Sequence, residues 1–333
     1  MLAGEALGRW LKDDAAQYAS KHAIEAFGKG FRSSGPMADL AEELRAIGPD
    51  DSDGVMAATA KFLEPGGSID SAMLELLRAA AADPYFRPPL RRVVSQVHLG
   101  LLLMDNPLLS ILLAVMTPDA LAAKRIGREG RASITFGGQR SIFKFLKAGG
   151  AMLSFWEAPA IEDGFTAGAN ARCRKVEERL VADGEMFQLD GRSQSFVVEH
   201  AVSDIVYIHA VTPAGAAPVS VEYDADTLSF AGASSTDEIA SRMQMMVSLL
   251  RLLDRQDAAP LVRECLASPH FYVRWHVMRE FLALDADLAL PSLREMAQSD
   301  PHPEVRAAAA QTLAAFFPDE ESAPDREDDL CRA

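Results

Sequence analysis

Two stretches near the end of the chain repeat each other. Ser268-Pro269-His270-Phe271-Tyr272-Val273-Arg274 aligns with Asp300-Pro301-His302-Pro303-Glu304-Val305-Arg306 at an offset of 32 positions, with Val273 on Val305. Phe281 falls against Leu313 at the same offset of 32, and Pro260 against Pro291 at 31. A period of this size marks stacked two-helix units, none of which buries its inner face alone. Pro260 and Pro291 suit the first turn of each unit's first helix, and Pro269 and Pro301 fix the turn before the second. Val273 and Val305 then point into the shared core.

Residues 256–317 resemble the HEAT family, and Asp300-Pro301 through Leu313 matches the family's second-helix pattern. The resemblance implies a helical array of the kind that commonly holds other proteins, although some such arrays carry enzymatic sites. It also implies a task for Arg274 and Arg306, which stand where these repeats carry an arginine. The guanidinium bonds to an acidic group or carbonyl in the adjacent turn and pins one unit to the next. A helix over 237–255 is expected to cap the inner end. Ser235-Thr236-Asp237-Glu238 fits a capping box, and Ile239, Met243, Met246, Leu250 and Leu253 form its expected buried stripe. Met243, Met245 and Met246 read as core filling rather than as a soft binding surface. Residues 1–255 show no comparable family signature.

Residues 1–130 read as helical. Trp10, Leu11, Ala15, Tyr18, Ala19, His22, Ala26 and Phe27 recur at helical steps, and Gly28 and Gly30 are expected to stop that helix. Met37 to Ile47, a segment opened by Ser68, and another opened by Thr117-Pro118 continue the series. The run from His98 to Met116 is very apolar, but Asp105, Asn106 and Pro107 interrupt it, which argues against a membrane span. It reads as two short buried helices, the second capped by Asp105 or Asn106 with Pro107 in its first turn.

From 131 to 233 the apolar period falls to two. Runs around Ile134, Ile142, Met152, Arg172, Met186, Phe196, Ile205, Val219 and Leu228 are short and are separated by Gly137-Gly138, Asp183-Gly184 and Asp190-Gly191. Asp-Gly between alternating runs is a strong hairpin signal. Short strands with tight turns predict an antiparallel β-sandwich or small barrel.

The formal net charge is -15, a field that disfavours phosphate backbones and anionic lipid, so neither nucleic acid nor membrane is an expected partner. Part of the excess lies in 318–333, which reads as an acidic, disordered tail. Cys173, Cys265 and Cys331 are few and far apart, which suits a reducing cytoplasm.

Few residues suggest chemistry. The sequence contains no G-x-S-x-G elbow, Walker A loop or H-E-x-x-H. His270, His276 and Glu280 are close in sequence, but His270 matches His302 in the repeat while Ala308 replaces His276, so they read as structural. Glu199, His200 and His209 fall in candidate neighbouring strands, with His209 on the strand face of Ile205 and Tyr207. Their spacing does not match a cupin's paired histidines. Cys173 has Arg172, Arg174 and Lys175 beside it, but alternation leaves only Lys175 near the thiol. Tyr272, Arg274, Trp275 and Arg279 combine aromatics and arginine, the preferred chemistry of protein contact surfaces, and are the candidate partner-binding residues.

The expectation is therefore an α+β chain: a helical region 1–130, an antiparallel β domain 131–233, a capping helix with two HEAT-like repeats over 234–317, and the tail. The function expected is a non-catalytic scaffold or adaptor for another protein or peptide, with no cofactor. The alternative is an enzyme or small-ligand-binding protein with its site in the β domain.

Overall fold

The computed structural model describes residues 2–127, 133–162, 165 and 171–317. The acidic tail read at 318–333, with Cys331, lies outside the described residues. The fold class is α+β, with a helical N-terminus, central antiparallel sheets and C-terminal helices. The described residues fall into two compact units, one within Met1–Glu162 and Ala167–Thr236, the other within Asp163–Thr166 and Asp237–Ala333.

The first unit opens with helices α1 (Leu2–Trp10), α2 (Asp14–Ser33), α3 (Pro36–Ile47), α4 (Ser52–Leu63) and α5 (Ser68–Ala82). The single helix expected across Trp10 and Ala15 is broken, because Asp13 leaves the helical region and accepts the Ala16 N–H at 2.9 Å as an N-cap. Conversely, Gly28 and Gly30 do not stop α2, which runs on to Ser33. Gly28 is there for space: a Cβ at that position would lie 2.5 Å from the Pro89 ring, whereas one at Gly30 would meet nothing within 4 Å.

Strands β1 (Arg91–Val94), β2 (His98–Asp105) and β3 (Ser110–Met116) follow, where helix was expected. Asn106 does cap, but it caps a turn: its side-chain oxygen accepts the Leu108 and Leu109 N–H groups, both at 2.9 Å. The missing alternation has a physical cause. β2 and β3 carry large apolar residues on both faces, and a continuous apolar run does not distinguish a buried strand from a buried helix.

Helix α6 (Pro118–Gly127) precedes β4 (Ser133–Phe136), β5 (Arg140–Lys147), β6 (Met152–Glu157), β7 (Arg174–Leu180), β8 (Met186–Asp190), β9 (Gln194–His200), β10 (Ile205–Thr212), β11 (Val219–Asp224) and β12 (Phe230–Ser235). They form a six-stranded sheet ordered β1-β2-β3-β10-β5-β8 and two three-stranded sheets, β12-β11-β4 and β7-β6-β9. The turns at Gly137-Gly138, Asp183-Gly184 and Asp190-Gly191 exist but close no hairpins. β4 pairs with β11, β7 with β6, β8 with β5 and β9 with β6, so each of these turns carries the chain from one sheet to another.

One face of the six-stranded sheet, with Leu103, Ile111, Ile142, Ile208 and Ala210, shares a hydrophobic core with Phe31, Leu40, Leu44, Val55, Leu63 and Ile69 of α2 to α5. The N-terminal helices and the strands are therefore parts of one core, not a helical region beside a separate β domain. The other face, with Ala114, Phe145, Ile205 and Tyr207, packs on Leu153, Phe155, Phe196 and Val198 of β6 and β9.

In the second unit, α7 (Glu238–Leu252) lies beside α9 (Phe271–Leu284). α8 (Ala259–Glu264) and α10 (Ala286–Ser299) pack on α9, and α11 (Pro303–Phe316) packs on α10. Asp237, not Ser235, caps α7, accepting the Ile239 and Ala240 N–H groups at 2.7 and 3.2 Å, because Ser235 is still in β12. Pro260 is in the first turn of α8 as expected, but Pro291 lies inside α10, whose cap is moved back to Asp285.

The two glycines of α2 give opposite outcomes. Gly28→Ala forces the rigid Pro89 ring aside and destabilises the first unit by about 1–3 kcal/mol. Gly30→Ala has free space and gains about 0.5–1 kcal/mol from helix propensity. Denaturant unfolding of the two variants checks this, and equal shifts would contradict the close approach of α2 to Pro89.

Candidate functional site

The C-terminal array is built around Arg274, which is 9% exposed. Its Nε and Nη2 donate to the two Asp300 carboxylate oxygens, both at 2.7 Å, in a fork-on-fork pair. Its Nη1 donates to the Ser268 and Pro269 carbonyls at 3.0 and 2.9 Å. One side chain thus closes its own turn and grips the turn of the next unit. Arg306 repeats the first half of this, donating to the Asp300 and Pro301 carbonyls at 2.5 and 3.1 Å. Burial pushes the Asp300 carboxyl up, but the hydrogen bond and charge of Arg274 and the His302 backbone N–H outweigh it and hold the group below its ordinary 3.8.

Arg274, one of the candidate partner-binding residues, is buried and is engaged within the array. Tyr272, Trp275 and Arg279 recur on α9 at helical steps, so they share one side of it. Tyr272 and Trp275 are half-buried, packed against the hydrophobic clusters of the array, and Arg279 is exposed.

The other histidines of the segment are used internally. His270 Nε2 lies 3.1 Å from Asp237, the cap of α7. His276 Nε2 lies 2.9 Å from Ser248 Oγ and 3.2 Å from the Gln244 carbonyl, while Glu280 pairs with Arg251. These polar ties fasten α7 to α9. His302, 6% exposed, stacks on Phe271 with ring centroids 4.0 Å apart.

The largest departure from expectation is on α7. Ala240 and Val247 are buried there, with Met243 and Leu250 packed beside them. The expected stripe is rotated: Ile239, Met246 and Leu253 are 72%, 59% and 60% exposed, joined by Met245, Leu249 and Leu252. The helix is apolar on most of its circumference, so periodicity alone did not select the buried side. The signal that could have selected it is polar: Gln244, Ser248 and Arg251 mark the side facing His276 and Glu280.

In the first unit the structure separates Glu199, His200 and His209. Glu199 accepts a hydrogen bond from Ser154 and lies 3.8 Å from Lys175, and His200 is exposed at the end of β9. His209 is on β10, which pairs with β3 and β5, not with β9. Cys173 is 3% exposed, and burial pushes its thiol up, which removes the reactive-thiol reading. Lys175 does not activate it, being paired with Glu178 at 2.7 Å. Among the described residues no three His, Cys, Asp or Glu side chains gather as a metal site. No helix of the described residues is long and apolar enough to cross a membrane.

A family model described as HEAT repeats matches residues 233–314, and the C-terminal segment is a HEAT-repeat array. No curated protein matches the chain. Among solved structures, ectoine synthase from P. lautus is 12% identical, with 37% of this chain and 69% of that one covered at a TM-score of 0.22. A cupin domain from Bordetella pertussis Tohama I is 10% identical, with 37% and 99% covered at 0.23. A sugar phosphate isomerase from the cupin superfamily of Silicibacter pomeroyi is 11% identical, with 45% and 90% covered at 0.25. Superpositions this loose carry no argument about activity.

Removing the fork tests how far the array depends on it. Arg274→Ala leaves the Asp300 carboxylate buried and unpaired and costs about 3–5 kcal/mol, and Arg274→Lys recovers only part because an ammonium lacks the planar fork. The lowered Asp300 value means that its stabilisation is present above pH 3.8 and is lost as pH falls through the folded-state value. Wild type and Arg274→Ala should therefore converge in acid when α9–α11 unfolding is followed by hydrogen exchange. Equal protection at neutral pH would contradict the role given to Arg274.

Proposed function

We propose that this chain is a protein-binding scaffold that engages its partner through the HEAT array. The observation that carries the reading is the exposed apolar side of α7, with Met245, Met246, Leu249, Leu252 and Leu253 each between 47% and 68% exposed. Helical arrays need polar faces on their end helices to stay soluble. A contiguous apolar stripe on such a helix, exposed in a chain of net charge -15, is a liability unless something covers it. Two of its members are methionines, whose unbranched, polarizable side chains adapt to a partner's surface. Tyr272, Trp275 and Arg279 on α9 offer a second contact surface on the same array.

The partner in this reading is a protein or peptide, not nucleic acid, since the net charge opposes a phosphate backbone. A reducing, cytoplasmic setting is supported by Cys173 and Cys265, which are free.

The test compares affinity capture from host cells by the wild-type chain and by a Met246→Glu, Leu249→Glu variant, with circular dichroism confirming that both are folded. The reading expects a partner retained by the wild type and reduced at least tenfold in the variant. The same set of captured proteins at the same yield from both would overturn it.

A further inference from the structure

The repeat extends one unit further towards the N-terminus than its paired prolines suggest. Arg242, Arg274 and Arg306 are each 32 positions apart. The same step places Met245, Met246, Leu249 and Leu252 of α7 on Val277, Met278, Phe281 and Leu284 of α9. The HEAT match also takes in α7, since it begins at residue 233. By sequence, α7 is therefore the second helix of a unit, corresponding to α9 and α11.

The two helices differ in what covers those positions. Val277, Met278, Phe281 and Leu284 are no more than 7% exposed. Val277, Phe281 and Leu284 share a cluster with Ala259 and Val262 of α8, the first helix of their own unit, and with Ala289 of α10. Met245, Met246, Leu249 and Leu252 are 47% to 68% exposed. The chain just before α7 is committed elsewhere. It is β12, paired antiparallel with β11 from Phe230 to Ser235, so the segment that would supply a first helix is a strand.

We propose that the exposed side of α7 is the seat of an amphipathic helix from another protein, lying antiparallel to α7 in the place of its unit's first helix. This deepens the scaffold reading and rests on it. The exposed residues recur at steps of three and four, so they form a ridge along α7 that a second helix can pack beside. A helix satisfies its own backbone, whereas an extended peptide laid on apolar side chains would bury N–H and C=O groups with no partner. The direction follows from the hairpin form of each unit, in which the first helix turns back to run beside the second. The apolar side of the partner helix should mix small with medium side chains, as α8 does with Ala259 and Val262, because those are what the equivalent positions of α9 accept.

The test places benzoylphenylalanine at position 245 and, separately, at position 252 of the full-length chain in host cells, and mass spectrometry reads which residue each one captures. The two positions are about 10 Å apart along α7. The proposal expects both to land in one helical segment of another protein, about seven residues apart and in reversed order, with position 245 reaching the later residue. Sites about three residues apart, as in an extended segment, sites in the same order, or sites scattered over separate segments would overturn the proposal and leave the scaffold reading standing. Capture of α7 of a second copy, or of another segment of this chain, would overturn it in favour of self-association or an internal cover. No capture from either position would overturn the proposal and the scaffold reading together.

Discussion

The first unit depends on a sheet that is covered on both faces. β10 is the clearest case: Ile208 and Ala210 sit in the core shared with α2 to α5, while Ile205 and Tyr207 sit in the core shared with β6 and β9. A strand with apolar residues on both sides needs cover on both, and this unit supplies helices on one side and small sheets on the other. The arrangement also sets where a cavity can occur. Helix α2 lies close enough to Pro89, in the segment before β1, to demand a glycine at Gly28, but two sheets facing each other leave room wherever side chains are short or polar, as at Ser141, Gln139 and Gln194.

The second unit is held by a different device. Its buried residues include Val273, Val277, Met278, Phe281, Leu293 and Val305. The arginine fork of Arg274 on Asp300 links successive turns, and His270, His276 and Arg251 fasten α7 to the same framework. A ladder that takes its polar ties from inside the array leaves the outside of α7 free of structural duty. That is why the apolar residues there read as contact chemistry.

Legibility followed the physics of each segment. The C-terminal repeat was plain because the same turn recurs with its proline, histidine, valine and arginine, and each has a fixed task; the expected arginine tie is what Arg274 makes. Strands β4 to β11 showed through their alternation, but their partners did not, since a turn such as Asp183-Gly184 looks the same whether it closes a hairpin or moves the chain to another sheet. β2 and β3 were hidden by being apolar on both faces. The candidate sites were the least legible. Arg274 carries the composition of a contact residue but is buried, and the exposed side of α7 could not be separated from its buried side by periodicity. His209 was placed on the right strand face by alternation, while what packs beside it depends on which strands face each other across the interior.

The most direct measurement places a photo-crosslinking benzoylphenylalanine at position 252 on the apolar side of α7, and separately at position 298 on an exposed part of α10, in the host cell. The scaffold account predicts a discrete crosslinked product with another protein from position 252 and none from position 298. Products from both positions alike, or none from position 252, would contradict it.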